Sequence, residues 1–389
     1  MNAPVADANT IATARQRKLL GVALLAMLGI ILYAGVRPLQ FHPPNGARWI
    51  AGADGIRFEE RGIVYSDQAF RDLVQPAADR QEAPFTIELE FESSKSAASD
   101  MAHILSDDED DISPRFLISQ WGSYLILKAL YRSPDGKRFS FESAVPRLLR
   151  AGRPVHLVIT TAPGETILYV DGRPAAGVKA MLDLPRYTGR LLLGSAGTAS
   201  RSWLGIVRAL AIYERSFSAA DVAAAQTACQ LGAAAEEAAC YQFRERIGTE
   251  AHEAAGRRPA LHVPATVVML RRNYLAWDLR FTRNGVLDVA VNVTGFVPFG
   301  ALVTAYLVLV GGWSRGKALA ASIAIAALLS CGIELTQAFI PGRDSSSTDV
   351  AMNVLGAGVG AAVWFNSRRI RWLVGGAGEE AGIEQRKPS

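Results

Sequence analysis

The chain has 389 residues, room for two or three domains, and 50% of them are hydrophobic, a membrane-associated mixture. Its formal net charge of +4 comes largely from Lys and Arg beside apolar segments, which argues against nucleic acid as a partner.

The first apolar run covers residues 19–36 and follows Arg15, Arg17 and Lys18. A signal peptide is the rival reading. The run exceeds an ordinary h-region and no small-x-small cleavage site precedes Arg37, so an uncleaved transmembrane anchor is expected, with residues 1–18 as a cytoplasmic tail. From about residue 41 to residue 228 the pattern changes to short alternating segments bounded by turn residues. Phe85, Ile87, Leu89 and Phe91 alternate with Glu88, Glu90 and Glu92, as a strand with one buried face requires. Residues 153–160 and 166–172 read as a hairpin around Pro163 and Gly164, and Ser218 reads as the N-cap of a short helix.

These segments carry a resemblance. His156-Leu-Val-Ile, Leu168-Tyr-Val-Asp-Gly, Leu193-Gly, Trp203-Leu-Gly, Ala211-Ile-Tyr, Phe217 and Asp221-Val follow one another as in the laminin-G-like, concanavalin-type jelly roll. The resemblance spans residues 41–228 and implies an all-β, two-sheet sandwich exposed outside the membrane that binds carbohydrate or protein, some relatives being catalytic. Glu88, Glu90 and Glu92 resemble the acidic strand of laminarinase-type glucanases, where paired carboxylates act as nucleophile and acid/base. The middle residue here is Glu rather than Asp, and a solvated strand face accounts for all three glutamates. Asp107, Asp108 and Asp110, in a run with Glu109 and Asp111, are either calcium ligands or an acidic loop. His103 and His156 lack partners at metal-ligand spacing and read as packed strand residues.

Residues 229–287 form an expected helical connector, because the stretch beginning near Ser218 is rich in Ala and Glu. Cys229 and Cys240 either clip it as a disulfide or remain two thiols. Residues 263–281 mix apolar side chains with arginines, which suits an interfacial helix or a connector helix packed on the sandwich.

Three further apolar spans follow, at about 289–311, 317–340 and 350–366. Positive charges flank the four spans so that both termini lie inside, residues 37–287 outside, and 367–389 form a second cytoplasmic tail. Asp288, Asn292 and Gly295 recur as Asp349, Asn353 and Gly356, each set on one helical face. Between them lie Glu334, Gln337, Pro341 and Arg343. Ionisable groups in membrane segments are functional candidates by default, because lipid makes them costly. Gly295, Gly300, Gly356 and Gly360 are expected to let helices approach closely.

This order of polar and glycine positions closely resembles the VanZ-like family of bacterial membrane proteins, over residues 285–366, and the resemblance makes the first span that family's first helix, with the sandwich inserted after it. That family takes its name from a member associated with resistance to the antibiotic teicoplanin and has no established general activity. The resemblance implies a multi-pass protein of the bacterial inner membrane, residues 288–366 supplying a three-helix VanZ-like domain and 37–287 lying in the periplasm or outside the cell. Asp288, Asn292, Glu334, Gln337, Arg343, Asp349 and Asn353 then either staple helices together or bind an envelope lipid or lipid-linked precursor, while the sandwich recognises glycan or an envelope protein. The expectation is a non-enzymatic protein with no cofactor other than the calcium already considered. An enzyme or transporter acting on a lipid headgroup is the alternative, and a glycan hydrolase a further one. No Ser/His/Asp set, phosphate loop or zinc pattern supports a named reaction.

Overall fold

In a computed structural model the chain is described over residues 14–74, 83–109, 114–225, 227–229, 238–277 and 283–367. It divides into two compact units: residues 41–272 form one, and residues 1–40 together with 273–389 form the other.

The first unit is a sandwich of two antiparallel sheets. In the first sheet, Ala47–Trp49, Ile56–Phe58, Gly205–Tyr213, Phe85–Ser93, Pro154–Ala162, Glu165–Val170 and Arg173–Val178 lie in that order, and Ala238–Tyr241 adds to Gly205–Tyr213. The second sheet runs Met181–Leu182, Tyr124–Arg132, Phe116–Gly122, Ala98–Asp107, Arg190–Leu193, Val64–Ala69, Leu261–His262 and Glu250–Ala251, with Arg138–Val145 also paired to Tyr124–Arg132. Alternation places Phe85, Ile87, Leu89 and Phe91 in the core between the sheets. Trp203 is fully buried against Phe58 and Phe91, with ring centroids 6.1 and 5.9 Å away. Full burial of one such side chain contributes roughly 1.5–3 kcal/mol, so this row of aromatics fixes the strand register.

Residues beyond 228 correct the expected helical connector. Where described, the stretch is strand and loop, and helix begins only at Arg283. Tyr241 pairs with Leu210 and is buried with Ala239 in the sandwich core, a period of two that an Ala- and Glu-rich composition hid. Residues 230–237, which supplied much of that composition, lie outside the described residues. Ala251, Leu261 and Val263 join the same core, so the sandwich unit extends to residue 272 instead of ending at 228. Over its described residues, 263–277, the expected helix is also corrected, and the rest of that stretch to 281 lies outside the described residues. The backbone N–H of Val267 donates to Pro43 O at 2.9 Å and that of Leu270 to Gly197 O at 2.8 Å, bonds to distant strands and loops that an intact helix would keep for itself.

In chain order the helices are α1 at Ala14–Val36, α2 at Phe70–Val74, α3 at Ala219–Ala224, α4 at Arg283–Leu309, α5 at Arg315–Gln337 and α6 at Ser347–Asn366. Ser218 caps α3 in a reciprocal capping box with Asp221, as its sequence suggests. Four helices, α1, α4, α5 and α6, are long and apolar enough to cross a membrane by length and composition. They pack together in the second unit. Ile31 of α1 shares a core with Phe296, Phe299 and Val303 of α4, Ala326 and Ile333 of α5, and Ala357 of α6.

Packing fixes the direction of each helix. Gly356 lies against Val293 and Gly360 against Val297, so α4 and α6 run parallel. Ser322 of α5 donates to Gly300 O at 3.3 Å, and Asn353 of α6 to Ser330 at 2.8 Å, so α5 runs against both. A Cβ added at Gly300, Gly356 or Gly360 would come within 2.1, 2.2 or 2.0 Å of a backbone oxygen of the partner helix. These glycines make the expected close approach. Gly295 does not, having nothing within 4 Å, so the sequence repeat between α4 and α6 is not a symmetry of their contacts.

Candidate functional site

The three helix directions bring the N-terminal ends of α4 and α6 and the C-terminal ends of α1 and α5 to one end of the bundle. Most sequence-predicted polar residues gather there. The buried face of α5 reads Ala318, Ser322, Ala326, Ser330 and Glu334, one residue every four, which turns Glu334 inward. Glu334 is only 2% exposed, and its Oε2 accepts the backbone N–H of Ser346 at 2.7 Å. Gln337 donates to Gly35 O at 2.6 Å, tying the end of α5 to the end of α1. Arg343 donates to the carbonyl of Arg37. Glu334 and Arg343 thus each hydrogen-bond to backbone.

Asn353 is 5% exposed, and while its Nδ2 donates to Ser330, its Oδ1 has no hydrogen-bond partner. Asp349 lies one turn earlier in α6 and is partly exposed. Asp288 is exposed and Asn292 partly exposed on α4, so this pair stands at the rim of the cluster rather than within it. Sequence reasoning missed Ser330 and Ser346. Both were legible: Ser330 precedes Glu334 by one turn, and Ser346 three residues before Asp349 is an N-cap pattern, its hydroxyl accepting the Asp349 N–H at 3.3 Å.

The acidic strand of the sandwich departs from its expected solvated face. Glu88 is fully buried. Its Oε1 lies 2.7 Å from His156 Nε2, and its Oε2 accepts the Tyr213 hydroxyl at 2.7 Å and the Cys229 N–H at 2.8 Å. A second apolar cluster, including Val158, Tyr169, Phe217 and Val222, covers this side of the sheet, which no alternation pattern reveals. Cys229 and Cys240 are joined by a disulfide next to it. Glu90 and Glu92 remain partly exposed, and Glu92 pairs with Arg208 at 3.3 Å. Three satisfied hydrogen bonds around a sealed carboxylate make a structural anchor, without the open cleft that a nucleophile and acid/base pair need.

Of the calcium candidates, Asp107 Oδ1 accepts the backbone N–H groups of Arg115 and Phe116 at 3.0 and 3.3 Å. Asp108 forms an ion pair with Arg190 at 2.8 Å, and Asp110 lies outside the described residues. Burial pushes the Asp107 carboxyl up to about 7, and burial pulls the His103 imidazole down to about 3, helped by Arg201 and Lys128. The raised carboxyl contributes stability that is complete at low pH and lost as pH rises through about 7; the depressed imidazole contributes stability that is complete above its ordinary value and lost as pH falls through about 3. The two slopes oppose each other between about pH 4 and 6.5. Asp107→Asn should remove the loss on the alkaline side, so that sandwich stability rises from pH 4 to 6.5 and stays level to pH 8 in denaturant titrations. An unchanged fall above pH 6.5 would show that Asp107 is not its source.

Residues 241–370 match the family model VanZ/LLP1, and residues 71–223 match that of the concanavalin A-like lectin/glucanases superfamily. No curated protein matches the chain. Among solved structures, the CBM40 module of the Ruminococcus gnavus IT-sialidase, bound to alpha2,3 sialyllactose, is 16% identical, with a TM-score of 0.34 over 44% of this chain and 96% of that one. A candidate carbohydrate binding protein from Bacteroides ovatus is 14% identical, with a TM-score of 0.37 over 59% of this chain and 62% of the other. The binding domain of Paraclostridial Mosquitocidal Protein 1 is 13% identical, with a TM-score of 0.33 over 46% of this chain and 45% of its own.

Proposed function

We propose that this membrane protein, which joins a VanZ-like domain to a concanavalin A-like sandwich, serves the bacterial cell envelope by holding the polar group of an amphiphilic ligand at one end of its helical bundle. The protein lies in the inner membrane with residues 37–287 outside, and its sandwich recognises glycan or an envelope partner there. The positive flanks of the spans support that orientation. It places the polar end of the bundle at the outer leaflet, where a lipid or a lipid-linked precursor presents its headgroup. A lectin/glucanase superfamily model supports the glycan role of the sandwich.

The observation that carries the ligand reading is Asn353 Oδ1, an acceptor buried without a partner beside Glu334 and Asp349. Such a group costs about 1–3 kcal/mol unless a donor reaches it, so a ligand amine or hydroxyl would gain that energy. A staple of helix ends is the second reading, favoured by the bonds of Glu334 to Ser346 and of Gln337 to Gly35.

Native mass spectrometry of the detergent-purified protein separates them. The wild type should retain a lipid that Asn353→Leu and Glu334→Gln lose at unchanged yield. Equal lipid retention by all three, or collapse of both variants during purification, would leave the staple as the function of these residues.

A further inference from the structure

The large exposed aromatic side chains of the sandwich unit include a pair at one hairpin tip, Trp121 and Tyr124, 55% and 39% exposed. They face each other across a two-residue turn with ring centroids 6.3 Å apart. Gly122 takes a φ of 58° at the first turn position, as a tight hairpin of this kind requires. Burial does not explain two rings left in water at a rigid tip.

Two loops are hydrogen-bonded to that tip. Gln120 donates to Lys95 O at 2.9 Å and to Gly122 O at 3.1 Å, which fixes the 94–97 loop against the turn. The Leu149 N–H donates to Ser123 O at 3.0 Å, which fixes the 146–152 loop on its other side. The loops also meet, since the Ala151 N–H donates to the Ser96 hydroxyl at 3.0 Å. Each loop brings exposed cations: Lys95 on one, Arg147 and Arg150 on the other. Among the described residues no carboxylate forms an ion pair with any of the three. The neighbouring acids are engaged elsewhere, Glu92 with Arg208 at 3.3 Å and Asp100 with Arg201 at 3.6 Å. An exposed aromatic pair, with cations on the two loops bonded to its turn, therefore stands at one end of the sandwich.

We propose that this end binds an acidic saccharide. The apolar face of a sugar ring packs on Trp121 or Tyr124, while ring carboxylates or sulfates meet Lys95, Arg147 and Arg150. The inference rests on the glycan reading of the sandwich given above and names its ligand class and its face. Aromatic rings beside cations also suit an anionic lipid surface. The saccharide is favoured because the rings are paired across a turn, and because the three cations stand on the two loops bonded to that turn.

The full-length protein in phosphatidylcholine nanodiscs tests this with oligogalacturonate, its methyl ester and neutral dextran oligomers as probes. Oligogalacturonate should bind, and binding should weaken at least tenfold in Trp121→Ala and in the triple variant Lys95→Ala/Arg147→Ala/Arg150→Ala, more steeply at low salt for the triple variant. The methyl ester should bind at least tenfold more weakly than the acid. These exposed substitutions should leave the thermal transition of the sandwich in place. Equal binding of acid and ester, or binding indifferent to both variants, would overturn the proposal and leave the glycan reading standing. Binding of no probe would overturn both. Loss of oligogalacturonate binding when phosphatidylglycerol replaces phosphatidylcholine would assign the patch to the lipid surface instead.

Discussion

Leucine in place of Gly360 should prevent the helical bundle from assembling, with a loss of most monodisperse protein in detergent. The obstacle is backbone: even a single Cβ at this position would come 2.0 Å from Val297 O, and at Gly356 the same atom would come 2.2 Å from Val293 O. A side chain can rotate away, whereas two parallel helices can only separate, and separation opens the Phe299 and Ala357 layer that packs α4, α5 and α6. Overpacking of a well-packed core costs typically about 1–3 kcal/mol, and a backbone clash along a helix seam belongs above that range. Gly356→Leu should behave like Gly360→Leu. Gly295→Leu is the control, since nothing stands within 4 Å of its Cβ position, and it should accumulate like the wild type. Size-exclusion profiles of the three variants decide the matter, and a normal Gly360→Leu peak would show that α4 and α6 tolerate a wider spacing.

That contrast marks where sequence carried the fold and where it did not. Hydropathy located all four long helices because a bilayer-length apolar run has few other uses. The two-residue alternation of Phe85 to Phe91 located a strand for the same reason: burial of one face imposes its period. Neither pattern states which side of an element meets a second partner. Gly295 and Gly356 occupy matching places in the repeated motif, yet only Gly356 lies in the seam, because the rotation of α4 about its axis is set by its neighbours. Among the polar residues, spacing put Asp349 and Asn353 on one helical face but could not identify backbone as the partner of Glu334 and Arg343. Backbone groups have no signature in a sequence, and a loop such as 340–346 can present them in many ways.

Glu88 is the clearest case of a residue whose pattern misled, and it carries the second large effect. Glu88→Leu should lower the melting temperature of the sandwich by about 10 °C, read by the fluorescence of the fully buried Trp203 in the full-length protein. The substitution strands three groups at once: the His156 imidazole, the Tyr213 hydroxyl and the Cys229 N–H all lose their acceptor inside an apolar cluster. Breaking a buried, hydrogen-bonded pair of this kind costs about 3–5 kcal/mol, against roughly 0.5 kcal/mol or less for a surface change such as Glu90→Gln. The disulfide supplies an internal check. Cys229 reaches Glu88 because its bond to Cys240 anchors it to the strand Ala238–Tyr241, so replacing both cysteines with serine frees one of the three donors. In that background Glu88→Leu should therefore cost less than in the wild type, by about 1 kcal/mol or more in a double-mutant cycle. Additive effects would mean that Glu88 and the disulfide act independently, and a wild-type melt for Glu88→Leu would return the residue to the solvated face that its alternating neighbours suggest.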